Sequence, residues 1–235
     1  VFLTAIHIAR TFLSPEFDLW LLFAFGFVPA RYDPEFVYFG QMPGGAAADA
    51  WGFISYALLH GSWIHLGVNI AWMVAFGTPV LRRFGTIRFL ILSLVAAVAA
   101  AAMHLATHWG EFIPMIGASG AISGQMGAAV RFAFQRKVLF GFANDDDSRW
   151  KQPALPLTEA FRDVRVLAFV VIWFAVNIVF GTTSMIPGEE APVAWQAHIG
   201  GFLVGLLLFR IFDPTPVPSR NLTEDETENQ NSGSS

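Results

Sequence analysis

The sequence contains no cysteine. That removes a disulfide framework, a thiol nucleophile and any thiolate metal site. Charge is scarce too. Only 14% of the residues are Asp, Glu, Lys or Arg, against about 25% in ordinary soluble domains. A disordered chain, a coiled coil and a typical soluble enzyme are thereby excluded. No basic patch invites nucleic acid. The formal net charge of −4 is explained by the end of the chain, where Asp213, Glu224, Asp225, Glu226 and Glu228 face one base, Arg220. Apolar residues are what the chain has in quantity: 54% are hydrophobic and the mean hydropathy is +0.52. In 235 residues this composition points to a membrane protein.

Five long stretches lack Asp, Glu, Lys and Arg: 50–81, 89–110, 112–130, 166–188 and 191–209. A helix needs about 20 apolar residues to cross a bilayer core of about 30 Å. Lipid offers no partner for open backbone groups, so the spanning elements should be helices. Residues 1–13 read as the outer part of a further helix whose beginning lies upstream. Residues 14–49, with Pro15, Pro29, Pro34, Pro43 and Gly44-Gly45, read as a long loop, its stretch Leu19–Val28 lying on the membrane surface. The expected fold is an all-α membrane protein of six spans over 1–212, followed by a disordered acidic tail, 213–235. Twelve of the 14 basic residues fall on one side of such a bundle; Arg10 and Arg31 are the others. The positive-inside rule then puts both termini in the cytoplasm. Asp145-Asp146-Asp147 lacks the spacing of a calcium loop and reads as solvated loop.

Polar groups within a bilayer are costly, so each is a functional candidate. Asn69 lies 13 residues before Arg82, Ser119 lies 12 before Arg131, and His198 lies 12 before Arg210. All three spans run in the same direction. At 1.5 Å per residue the three side chains come to one depth, roughly 18–20 Å from the basic edge. His65 is one turn from Asn69 on the same face. Pro114 cannot occupy a helix interior, so the fourth helix should start near Ser119, well inside the membrane. Its first N–H groups would be free, beside a serine facing a wet cavity. That is the geometry of a nucleophile with an oxyanion hole. Small residues recur four apart at Gly120, Gly124 and Ala128, and at Gly201 and Gly205. Such stripes let backbones approach closely and would bring the imidazole of His198 to the hydroxyl of Ser119.

Gly-Ala-Ser-Gly at 117–120, Ala-His-Ile-Gly-Gly at 197–201 and the run from His60-Gly-Ser-Trp-Ile-His65 to Asn69 resemble the rhomboid family of intramembrane serine proteases. The resemblance implies a six-transmembrane-helix rhomboid-like bundle around a water-filled cavity. It implies Ser119 as nucleophile and His198 as general base. It further implies an oxyanion site from the Ser119 N–H and Asn69 with His65 nearby, with Gly117 supplying backbone freedom. Trp195 and Gln196 would lie at the rim, the loop Phe36–Trp51 would dip into the membrane, and the fifth span with 181–193 would form a lateral gate and cap. Some members carry a tyrosine four residues after the nucleophile; here it is Ser123. The Trp-Arg pair of the family's first loop has no clear counterpart.

No Asp or Glu lies between Ala191 and Arg210. A Ser–His dyad, oriented by packing and the neighbouring helix, is therefore expected in place of a triad. Activity should fall as His198 becomes protonated. The zinc motif H-E-x-x-H and the G-x-S-x-G elbow are absent, and His60 and His65 have no carboxylate backing them for a metal. No metal or cofactor is expected. The expected partners are the lipid bilayer and transmembrane-helix protein substrates, in a multi-pass protein of a bacterial inner membrane. The alternatives are a non-catalytic rhomboid-like binder of transmembrane helices and a small transporter.

Overall fold

The computed structural model describes residues 1–35, 42–136, 153–183 and 193–215. The Asp145–Asp147 run, the tail beyond 215 and most of 181–193 lie outside the described residues. Helices dominate and no strand occurs among the described residues. They are α1 (Phe2–Arg10), α2 (Pro15–Phe25), α3 (Ala47–Ser55), α4 (Trp63–Phe84, with a wider turn at Met73–Gly77), α5 (Thr86–Thr107), α6 (Ser119–Ala129), α7 (Val164–Thr182) and α8 (Trp195–Leu207). Single turns at Leu157–Ala160 and Phe209–Phe212 complete them.

Three of these helices, α4, α5 and α7, are long and apolar enough to cross a membrane. With 11 and 13 residues, α6 and α8 fall short of that length. Pro114 and the extended segment before Ser119 take up the first part of the apolar stretch 112–130. The helix α6 is instead enclosed, packed on α8 and α5, while α8 packs mainly on α6 and α5 and leaves Leu203 and Leu207 exposed. The outward faces of α5 and α7 stay apolar, with Leu90, Leu94, Val171, Ile172 and Val179 exposed. A soluble protein rarely shows such surfaces; the chain is an integral membrane protein.

Glycine governs the α6–α8 contact. A Cβ on Gly201 would collide with the carbonyl oxygen of Gly120, and one on Gly205 with that of Gly124. Gly127 meets the Phe202 carbonyl in the same way. Backbone therefore lies against backbone over two turns. Below this seam Ile122, Met126, Phe202, Leu206 and Phe209 form the core with Phe76, Val80 and Phe84 of α4. At that end Arg83 pairs with Asp213 at 2.8 Å, and Arg131 donates to the carbonyls of Leu155 and Leu206.

The segment 14–49 departs from the expected loop. Pro15 is the first residue of α2, where a missing N–H costs nothing. Ser14 caps it by accepting from Phe17 N at 3.3 Å, and Glu16 and Asp18 occupy the first turn. The prolines were read as breakers, whereas Pro15 marks a helix start. Beyond α2, Arg31 gathers the chain: it donates to the carbonyls of Phe23 and Pro43 and pairs with Asp49. Trp51 Nε1 donates to the Ala24 carbonyl at 2.8 Å and Ser55 Oγ to that of Phe25 at 2.6 Å. An arginine and a tryptophan thus tie this region together from positions far apart in sequence.

At the start of α7 Asp163 accepts from the Arg165 backbone and guanidinium. The guanidinium bond first, and the backbone N–H second, hold its carboxyl at about 2, below the ordinary 3.8. A depressed carboxyl stabilises the fold above its unfolded value and loses that contribution only as pH falls through about 2. This cap therefore does not titrate near neutrality.

Gly205→Val, which forces α6 and α8 apart, should destabilise the protein by about 1–3 kcal/mol or prevent folding. A Cβ on Gly67, within α4, meets nothing within 4 Å; Gly67→Ala should be neutral or stabilising by up to about 1 kcal/mol. Thermal unfolding in detergent measures both.

Candidate active site

Ser119 opens α6, as the proline pattern predicts. Four N–H groups of a helix start lack intrahelical partners, and the positive end of the α6 dipole lies there. Much of the backbone of the extended segment before it is held by protein. Met115 and Phe27 exchange N–H···O bonds of 2.8 and 3.0 Å, Ala30 N donates to the Glu111 carbonyl, and Gly117 N donates to the Tyr56 carbonyl at 3.0 Å. The serine is thus presented from a braced approach.

His198 lies in the first turn of α8. Its Nε2 is 2.7 Å from Ser119 Oγ. The close seam of Gly201 against Gly120 brings these two helix starts together. Both residues are half-buried, so the pair is enclosed without being sealed. A hydroxyl hydrogen-bonded to an imidazole nitrogen can pass its proton to the ring as the oxygen attacks an electrophile.

His65 and Asn69 occupy one face of α4. Ser62 caps that helix through its hydroxyl, accepting from His65 N at 3.1 Å. Asn69 is buried, 4% exposed, and its amide donates to the His65 carbonyl at 3.0 Å. A carboxamide has two N–H donors, and this bond uses one. Gly117 has φ +119°, a conformation that L side chains rarely adopt. A Cβ there would lie 2.6 Å from His65 Nε2 and 3.7 Å from Ser119 Oγ. Gly117 thus makes room for the imidazole of His65 beside the serine, while its own N–H is engaged by Tyr56. His60 packs its ring edge-on against His65, 5.1 Å between centroids.

Ser123, where some family members have tyrosine, is buried and donates to the Ser119 carbonyl at 2.8 Å. It acts within its own helix. The other ring nitrogen of His198 meets a residue that the sequence reading passed over: Nδ1 is hydrogen-bonded to Oδ1 of Asn177 on α7. The signal was present, since Asn177 is an amide within the apolar stretch 166–188 and polar groups there are costly. It was missed because the depth count considered only the spans running parallel to that of Ser119.

A family model, Rhomboid domain, matches residues 47–214. The chain belongs to the rhomboid family. It is 25% identical over 158 residues to Rhomboid protease GlpG of Yersinia pestis (strain Pestoides F), covering 67% of this chain and 46% of that protein. To Rhomboid protease GlpG of Pectobacterium atrosepticum it is 26% identical over 164 residues, 70% of this chain and 49% of that one. The chain spans about half the length of the curated relatives it matches. The matched region of this rhomboid chain includes Ser119, His198, Asn69, His65, Gly117 and Asn177.

Gly117→Ala should cost about 1–3 kcal/mol through backbone strain and displacement of His65. Thermal unfolding together with the cleavage rate measures it. A variant of unchanged stability and rate would contradict the packing described.

Proposed function

We propose that this chain is an intramembrane serine endopeptidase that cuts transmembrane segments of other membrane proteins with a Ser119–His198 dyad. The observation that carries the reading is the 2.7 Å bond between Ser119 Oγ and His198 Nε2 at the adjoining starts of α6 and α8. The relatives named rhomboid proteases support it.

In the proposed reaction Ser119 Oγ attacks a peptide carbonyl and its proton passes to His198 Nε2. The tetrahedral oxyanion is held by the Ser119 N–H and the second N–H of Asn69, with His65 beside them. His198 then donates its proton to the leaving amine, the C–N bond breaks, and the carboxy-terminal fragment departs with its new amino terminus while the amino-terminal fragment stays on Ser119 as an ester. Water hydrolyses the acyl-enzyme, with His198 again as base. The attacks by Ser119 and by water each need a neutral imidazole. The substrate unwinds locally, because a helix keeps its carbonyls in its own hydrogen bonds. We further propose the six-span rhomboid arrangement with both termini in the cytoplasm. The convergence of Arg83, Arg131 and Asp213 at one end supports that orientation.

Mixing the purified chain with a single-pass substrate in detergent tests the reading. Ser119→Ala and His198→Ala should each lower cleavage by about 10³-fold or more. The wild-type rate should fall toward acid pH as the imidazole is protonated. Cleavage that survives both substitutions overturns the dyad. Substrate that is bound and never cut favours a rhomboid-like helix binder.

A further inference from the structure

The helix α7 is the least enclosed of the long helices. Asn177 and Val166 are its buried residues. Asn177 is 7% exposed. Phe174 meets Trp195 edge-on, and three rungs spaced four residues apart along α7 join it to α8. Trp173 stacks on Phe202 at 4.8 Å between centroids. Asn177 meets His198. Gly181 lies against Trp195, whose ring a Cβ would strike. The apolar rungs on either side fix the register in which the middle one forms.

The direction of that middle bond follows from its other partner. Asn177 Nδ2 donates to the Trp173 carbonyl at 2.8 Å. The nitrogen end of the amide is therefore directed at its own helix, and the oxygen end faces the imidazole. A carbonyl oxygen only accepts, so Nδ1 of His198 must carry the proton. In a neutral ring the lone pair then belongs to Nε2, the atom that faces Ser119. The carboxylate absent from α8 is thus replaced by a neutral amide from another helix, which avoids burying a charge in the membrane.

We propose that Asn177 is the positioning residue of the dyad, setting both the tautomer and the tilt of His198. This rests on the protease reading above. Asn177 touches no reacting atom and acts through the ring.

The test compares Asn177→Leu, of similar size without an acceptor, with Asn177→Asp, which keeps one. Steady-state cleavage by the full chain in detergent gives kcat and KM separately. The leucine variant should lose kcat about 10- to 100-fold with KM unchanged, and the aspartate variant should recover most of that loss. Equal impairment of both variants, full kcat in the leucine variant, or a loss confined to KM would overturn the proposal. Nitrogen-15 spectra of wild-type protein labelled at its six histidines, with His198→Ala identifying the signal, provide a reading independent of the variants' folding. A protonated Nδ1 on His198 is expected; a proton on Nε2 overturns the assignment. The spectrum also reports on Asn177 if the wild-type chain cleaves nothing, so failure of the protease reading is distinguishable from failure of this one.

Discussion

The contact between α6 and α8 is the constraint on which the rest depends. Lipid tails are as apolar as the side chains that face them, so helices in a membrane associate through close fit and polar contacts. Here the fit is backbone to backbone: Gly201 on Gly120 and Gly205 on Gly124. Gly120 lies one residue from Ser119 and Gly201 three residues from His198. The same seam that joins the helices fixes the distance between hydroxyl and imidazole. Any side chain in it would move the two groups apart before it altered either one.

Around that seam the other elements present and support. The bonds of Phe27 and Tyr56 brace the segment before Ser119, so that a helix begins inside the protein with the backbone ahead of it held in place. Gly117 leaves space for the ring of His65. Arg31 and Trp51 stitch the region from α2 to α3. The opposite end is fastened by Arg83 and Asp213. The polar atoms near the serine therefore lie on several elements, each anchored away from the site, an arrangement suited to preorganisation.

Much of this was legible in the sequence because membranes impose strict periodicities. Counting from the basic edge gave a common depth for Asn69, Ser119 and His198. Pro114 gave the start of α6, and the small-residue stripes gave the seam. The lengths of two central helices were less legible: both are shorter than a bilayer, packed against each other and against α5, and extended backbone before Ser119 takes up part of its stretch. The helix α2 was obscured because Pro15 reads as a breaker until Ser14, Glu16 and Asp18 are taken with it as a start signal. Asn177 escaped because its span runs antiparallel to that of Ser119, so no equal count draws attention to it. Only the register fixed by Trp173 and Gly181 brings it to the ring.

The most direct measurement is the site of covalent labelling by a fluorophosphonate, a small electrophile that reacts with an activated serine and need not unwind a helix. After treatment of the intact chain in detergent, peptide mapping should find the adduct on Ser119, and the adduct should vanish in His198→Ala. An unlabelled Ser119, or labelling that is indifferent to His198, would contradict the account.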